Sequence, residues 1–319
     1  MVVNGEISNE VSVTSGVPQG SVLGPTLFLV YINDIANDLK CNIRMFADDC
    51  IVYKNVKNIK DCEKLQHDLI KLQVWEADWK MSFNTDKCEI ISFSKKTKHK
   101  ELKYNYTLHN TLLTRVDSAK YLGVTFTHNL NWNSHINNIT TKANRMLGML
   151  RRNLYMGSAQ LKQNAYFALV RPILEYGCCV WDPFTQDNIR RLENIQRRSA
   201  RFVRKDYSKS TSVTSLLEDL GWASLQERRM QAKICLLHKI TYNIVATEKH
   251  QYLTNRFTRS SRRFHTLAYS QHMSSSNAYK YSFFPSTILV WNSLENNLVT
   301  ITDPDQFKGQ LAGLKLTTT

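Results

Sequence analysis

The sequence predicts an α+β protein, with short strands and helices mixed through about residue 130 and a mostly helical remainder. Three observations carry this expectation. In the first part apolar residues alternate over short runs bounded by turn formers, the two-residue period of half-buried strands. Beyond about residue 133 they recur at three- and four-residue steps, the period of an amphipathic helix. The composition, 42% hydrophobic and 22% charged over 319 residues, is that of a folded chain and not of a disordered or fibrous one.

The elements follow in order. Val2–Val3, then Asn4–Gly5 and an alternation running through Val11 and Val13, read as a hairpin whose turn is Asn4–Gly5. The glycine-punctuated run Gly16–Gly24 (GVPQGSVLG) leads to Pro25, well placed in the first turn of a helix containing Leu27, Phe28, Val30, Tyr31 and Ile35. Ile43–Phe46 and Ile51–Tyr53 read as two strands separated by Ala47–Cys50 (ADDC). Cys62, Leu65, Leu69, Leu72, Trp75 and Trp79 place a helix over 59–79, with Asn58 as its cap and Asp61 three positions on. Lys87–Phe93 and Tyr121–Phe126 alternate as further strands, and Lys95–Lys103 reads as a basic loop. A domain boundary is expected near 127–135, dividing the chain into 1–130 and 131–319. After it, Ile136, Ile139, Ala143, Met146, Leu147 and Leu150 form a helical stripe. Ala165–Leu174 reads as a buried helix ending near Pro172, and another helix is expected from Ser224 to about Ile240. The tail from 250 onward is polar and aromatic, with weak periodicity around Phe283–Trp291.

The net charge of +15 is unevenly spread: residues 1–94 hold nine Lys/Arg against thirteen Asp/Glu, and residues 95–319 hold 33 against 14. So positive a second part favours a polyanionic partner. No apolar run approaches the roughly 18 residues of a membrane span, and Met1–Glu10 lacks the basic and apolar regions of a secretory signal. Seven cysteines without a CxxC pair exclude a zinc ribbon or a thioredoxin-like site and favour a reduced, intracellular protein. Cys178–Cys179 lies in an apolar stretch and is expected to pack, as are Trp132, Trp181, Trp222 and Trp291.

Asp48 and Asp49 sit at a tight bend between two apolar runs. Taken alone, the pair is either a solvated turn, since Asp is a good turn former, or a pair of oxygen donors for Mg²⁺, a hard cation that favours carboxylates and phosphates. Ser15–Pro25 (SGVPQGSVLGP) is either a structural turn and helix start or a set of exposed amides facing a phosphate or base edge. Its glycines, four apart, match neither a dinucleotide-binding nor a Walker pattern. In 190–209, Arg190, Arg191, Arg197, Arg198, Arg201 and Arg204 fall in a helix whose apolar side is Leu192, Ile195 and Phe202. That basic side is either an ordinary solvated face or a phosphate-binding surface. Arg256–Arg263 (RFTRSSRR) reads as a second basic stretch.

Ser15–Ile35 (SGVPQGSVLGPTLFLVYINDI) followed by Met45–Tyr53 (MFADDCIVY) resembles the reverse transcriptases of non-LTR, jockey-like retrotransposons. The resemblance continues through Trp75–Phe93, Tyr121–Ile136, Ala168–Pro183, Arg190–Val203 and Phe283–Leu294. It implies a partial polymerase palm, an antiparallel sheet with helices, followed by a helical thumb-like and C-terminal region. It makes Asp48 and Asp49 catalytic carboxylates that bind Mg²⁺. It makes Gly16, Pro18, Gln19 and Gly20 the element against the incoming nucleotide. Asn84 and Lys87 match an Asn-x-x-Lys motif, in which Lys87 either approaches the leaving pyrophosphate or orients the palm. Tyr121, Leu122 and Gly123 match the hairpin that grips the primer. The implied partners are an RNA template, a DNA primer and deoxynucleoside triphosphates, with no membrane, in cytoplasm and nucleus. Cys50 and Thr127 depart mildly from the family, which commonly has Thr or Ser, and Asp, at these places. The larger departure is that the family's first catalytic Asp and its fingers precede the Gly-rich element, and nothing before Val2 supplies them. The 319 residues alone are therefore expected to be inactive and to bind Mg²⁺ weakly or not at all. The alternatives are a noncatalytic nucleic-acid-binding remnant or a fragment akin to group II intron maturases.

Overall fold

The computed structural model describes residues 2–3, 5–7, 9, 12, 16, 20–94, 102–256, 264–271, 273, 276–314 and 316. Val11, Val13, Pro18, Gln19, residues 95–101 of the basic loop and residues 257–263 of the second basic stretch lie outside them. The chain forms two units, Met1–Val116 and Asp117–Thr319.

In the first unit, β1 (Val2–Val3) and β2 (Glu6–Ile7) pair antiparallel, Val2 opposite Ile7 and Val3 opposite Glu6. Helix α1 (Gly24–Tyr31) has proline in its first turn, and the Ser21 hydroxyl accepts from the Gly24 amide at 3.0 Å. Strands β3 (Asn42–Phe46) and β4 (Asp49–Tyr53) pair antiparallel, Asn42 opposite Tyr53 and Phe46 opposite Asp49. Helix α2 (Ile59–Trp79) begins where the Asn58 side chain accepts from the Asp61 amide at 3.1 Å, while the Asp61 carboxylate accepts from the Lys57 amide at 3.0 Å. The expected strand over Lys87–Phe93 is shorter. Thr85–Lys87 is a 3₁₀ turn in which Asn84 caps the Asp86 amide, and only β5 (Glu89–Ile90) is a strand. The Asn84 side chain, accepting from the Asp86 amide at 3.1 Å, gives the backbone a local alternative to strand pairing. Strands β6 (Thr107–Leu108) and β7 (Thr111–Leu112) form a hairpin, and β8 (Thr114–Arg115) pairs parallel with β5.

The small core of this unit is Cys62, Tyr106, Leu108 and Leu113, with Leu65, Leu69 and Phe83 against it. Two acids on α2 are buried with it. Asp68 accepts from the amides of Lys40 at 2.9 Å and Cys41 at 2.6 Å, fixing the chain just before β3. Burial would raise its carboxyl, but the Cys41 thiol and the two amides together hold it below the usual range. Glu76 accepts from the Phe83 amide at 2.6 Å and meets His109 Nε2 at 2.7 Å. On α1, by contrast, Leu27, Leu29 and Val30 stand exposed, and β3–β4 is a two-stranded sheet among the described residues.

The second unit opens with β9 (Ser118–Tyr121) and β10 (Val124–Thr127). The run Tyr121–Phe126, expected as one strand, is a hairpin because Leu122 and Gly123 both take left-handed conformations, with φ of 44° and 81°. Helices α3 (Asn133–Asn153), α4 (Ala159–Ala165), α5 (Arg171–Glu175), α6 (Cys178–Trp181) and α7 (Gln186–Arg204) follow. The stripe read from the sequence is the inner face of α3: Ile136, Ala143, Leu147 and Leu150 are buried against Tyr166, Val170, Leu174, Leu192 and Phe202. Helical structure does not end at Pro172. A π-helical turn at Tyr166–Val170 precedes it, placing the proline in the first turn of α5, where its missing N–H leaves no bond unmade.

Beyond α7 come α8 (Val213–Asp219), α9 (Leu225–Thr241), α10 (Asn277–Lys280), α11 (Phe283–Trp291), α12 (Asn296–Val299) and α13 (Pro304–Leu311). A second core of Ile234, Leu237, Ile288, Trp291, Phe307 and their neighbours unites α9, α11 and α13. Asp182 holds the buried Arg229 at 2.8 Å and Lys233 at 2.6 Å. The four tryptophans pack: Trp181 donates to the Tyr176 carbonyl and Trp291 to that of Leu267, Trp222 stacks on Tyr166, and Trp132 meets Phe126 edge-on. Cys178 is buried in the first of the two cores, with Leu147, Leu174 and Leu192.

His135, 2% exposed, receives the Thr125 amide on Nδ1 at 3.2 Å, and burial pushes its imidazole down to about 4. Burial also holds His238 and His265 below the usual range, outweighing their hydrogen bonds to the Ile301 and Trp291 carbonyls. In the unfolded chain these rings protonate near 6.5, so unfolding takes up protons below that pH. Stability is therefore complete above pH 6.5 and is lost as pH falls toward 4, by up to about 3 kcal/mol from His135. Thermal unfolding followed from pH 7 to pH 4.5 will show this loss, and His135→Gln will flatten it.

Candidate functional site

The β3–β4 hairpin turns through two residues, Ala47 and Asp48, because Phe46 pairs directly with Asp49. Ala47 takes φ of 51°, a left-handed first turn position that suits the twist of a hairpin but costs an L residue about 1 kcal/mol. The turn is short and twisted, and it leaves Phe46, Ala47, Asp48 and Asp49 all exposed. Neither carboxylate makes a hydrogen bond or ion pair among the described residues. Behind the turn, Cys50 is half buried opposite Met45, and burial pushes its thiol up to about 11, so it packs there as a small neutral group.

Two unpaired carboxylates on a stiff bend match the donor chemistry of Mg²⁺, which takes oxygen ligands and keeps several waters. Among the described residues no group of three or more His, Cys, Asp or Glu could hold a metal, so no third such ligand joins the two carboxylates at this turn.

The other residues singled out in the sequence are placed as follows. Gly16 and Gly20 both adopt left-handed backbone, φ 84° and 85°, which only glycine takes freely. Pro18 and Gln19 between them lie outside the described residues. Lys87 is exposed at the end of the 3₁₀ turn capped by Asn84. In the second unit, Leu122 and Gly123 form the β9–β10 turn, and Tyr121 closes β9 opposite Val124. The Tyr176 hydroxyl donates to the Leu122 carbonyl at 3.1 Å, and a Cβ on Gly123 would stand 3.1 Å from the Tyr176 ring.

The six arginines of α7 are unequal. Arg191 bonds the side chains of Asn137 and Asn188, and Arg198 that of Asn144 at 3.2 Å, so both staple α7 to its neighbourhood. Arg201 donates to the carbonyls of Asp206, Ser208 and Thr211, and Arg204 to that of Asp219. Arg190 and Arg197 are exposed and make no side-chain hydrogen bond or ion pair among the described residues. The sequence carried a sign of this division: Asn137 and Asn144 stand seven apart on α3, as Arg191 and Arg198 do on α7. Asp68 and Glu76 carry no motif in the sequence; the one signal is that Glu76 continues the apolar stripe of α2 at Cys62, Leu65, Leu69 and Leu72.

Residues 1–126 match the sequence model of the family described as reverse transcriptase (RNA-dependent DNA polymerase). The chain is 30% identical over 216 residues to the RNA-directed DNA polymerase from mobile element jockey of Drosophila melanogaster, covering 63% of this chain and 23% of that protein. It is 28% identical over 209 residues to a probable RNA-directed DNA polymerase from transposon X-element of the same organism, covering 62% of this chain and 22% of that protein. A retrovirus-related Pol polyprotein from the type-1 retrotransposable element R1 of Nasonia vitripennis is 23% identical over 218 residues, 65% of each. No solved structure shows significant similarity. The chain, a mixed α/β unit and a long helical one, is thus similar in sequence to the RNA-directed DNA polymerases of non-LTR retrotransposons, of the jockey, BS and R1 kind. It spans less than a quarter of the length of the jockey and X-element polymerases. Among the described residues no helix is long and apolar enough to cross a membrane.

Because Ala47 occupies a left-handed turn position, Ala47→Gly should stabilise the first unit by about 0.5 kcal/mol, and Ala47→Val should cost more than about 1 kcal/mol. Urea midpoints of the two variants check both signs.

Proposed function

We propose that this chain is the later palm and the thumb-like part of a polymerase that adds deoxynucleotides to a primer 3′-hydroxyl on an RNA template. Residues 1–130 supply the palm portion and residues 131–319 the helical, basic portion. The observation that carries the reading is the pair of exposed, unpaired carboxylates, Asp48 and Asp49, on a two-residue turn inside the segment matched by the reverse transcriptase family. Both side chains would bind Mg²⁺, which supplies Lewis-acid stabilisation of phosphoryl oxygens when bound. Gly16, Pro18, Gln19 and Gly20 would face the incoming nucleotide. Lys87, an exposed cation beside the Asn84-capped turn, would meet the pyrophosphate side or orient the palm. Tyr121, Leu122 and Gly123 would contact the primer through their tight turn. Arg190 and Arg197, free of internal bonds, are the α7 arginines best able to meet phosphates without strand-sequence preference. The substrates place the reaction inside the cell, where template RNA and chromosomal DNA are found.

The same geometry limits what these 319 residues do alone. Two carboxylates adjacent on one bend cannot surround a pair of ions, and a missing bridging acid removes both positioning and charge stabilisation. With Mg²⁺, a homopolymer RNA template and a DNA primer, the chain by itself should give no incorporation above background. Incorporation that disappears in Asp48→Ala would overturn this and show a complete site within the chain.

A further inference from the structure

A cavity of about 700 Å³ lies in the second unit, where the ends of α3 and α7 meet α4. Its walls are Gly148, Arg151 and Arg152 near the end of α3, Tyr155 just beyond, Lys162 of α4, and Phe202, Lys205 and Tyr207 at the end of α7. Four cationic side chains line it, and no carboxylate does. The nearest acid in sequence, Asp206, is engaged elsewhere: it accepts from Thr211 and from the Ser208 amide at 2.9 Å, beside Arg201.

Lys162 is the telling member. Its residue is 1% exposed, it lines the cavity, and it has no acidic partner among the described residues. A buried ammonium normally has a counter-charge, because desolvation is expensive. Burial and the neighbouring Lys205 both hold its ammonium below the usual lysine range. The ends of α3 and α7 offer some relief, each about half a negative charge, but together they do not match four cations.

The remaining walls are aromatic. Arg151 lies over Tyr207 at 5.2 Å, Lys205 over Tyr155 at 5.4 Å, and Lys162 over Phe202 at 5.4 Å. Tyr155 and Tyr207 are 70% and 53% exposed, leaving ring surface for a flat ligand. Gly148 sits inside α3, where glycine costs about 1 kcal/mol against alanine, and the side chain it lacks would enter the cavity beside Arg152. Lys205 holds the left-handed end of α7, φ 54°, a position glycine would fill with less strain.

We propose that this cavity binds a nucleotide, its phosphate on Lys162, Arg151, Arg152 and Lys205 and its base against Tyr155 or Tyr207. The ligand is either a free nucleoside phosphate or one unit of a single strand; the chemistry is shared. The site is separate from Asp48 and Asp49 and does not depend on the polymerase reading. Binding to the full chain is measured in EDTA, which leaves no divalent ion for the acidic turn, with AMP, inorganic pyrophosphate and a ten-residue oligo(dA) as probes. AMP or oligo(dA) should bind, and Lys162→Met should weaken that probe at least tenfold. The variant removes a charge with no acidic partner to orphan, so its melting temperature should not fall. Gly148→Leu, which improves the helix while filling the cavity, should weaken the same probe at least tenfold. Preference for AMP identifies a free-nucleotide site, and preference for oligo(dA) a strand-unit site. The proposal is overturned if neither probe binds below about 1 mM, if either folded variant binds like the parent chain, or if pyrophosphate competes as well as the nucleotide.

Discussion

The constraint on which the first unit's chemistry depends is the two-residue turn between β3 and β4. Direct pairing of Phe46 with Asp49 leaves only Ala47 and Asp48 to reverse the chain, and the left-handed Ala47 makes that possible. A longer loop would let the two residues separate; this one holds Asp48 and Asp49 at adjacent, exposed positions with no internal partner among the described residues. The hairpin is anchored at its open end, where Asp68 on α2 fixes the amides of Lys40 and Cys41 just before β3, while Cys50 packs next to the turn as a neutral thiol.

The second unit solves a different problem, that of folding under a large positive charge. It does so by spending cations internally. Asp182 neutralises Arg229 and Lys233, Glu175 meets Arg171 and Arg228, and Arg191, Arg198, Arg201 and Arg204 donate to neutral carbonyl oxygens. What remains for polyanions is smaller than the net charge suggests and includes Arg190 and Arg197 on the exposed side of α7 and the cations gathered around one cavity. Net charge reports the total field, whereas hydrogen bonding decides which cations can leave their places for a phosphate.

Much of this was legible in the sequence. Helix α2 was readable to the residue because its stripe repeats cleanly and Asn58 caps it. The stripe of α3 and the apolar side of α7 were readable for the same reason. Three features were not. Tyr121–Phe126 alternates like a strand, and only the left-handed Leu122, unusual for a leucine, makes it a hairpin. Pro172 looks like a stop, but a π-helical turn absorbs it. Lys87–Phe93 alternates too, yet Asn84 diverts its start into a 3₁₀ turn. At the site, the acidic bend was visible as a pattern between two strands, whereas the division of labour among the arginines was not. That division depends on partners fifty-four residues away for Arg191 and Arg198, on a different helix.

The central claim is that Asp48 and Asp49 form one wall of a divalent-cation site, and paramagnetic broadening by Mn²⁺ tests it most directly. Sub-stoichiometric Mn²⁺ added to the isotopically labelled chain should broaden the amide signals of residues 46–50 before those beside isolated surface acids such as Asp117 and Asp187. The double substitution Asp48→Asn and Asp49→Asn should abolish the selectivity. Equal broadening at Asp117 or Asp187, or a turn whose signals are unchanged by the substitutions, would contradict the account.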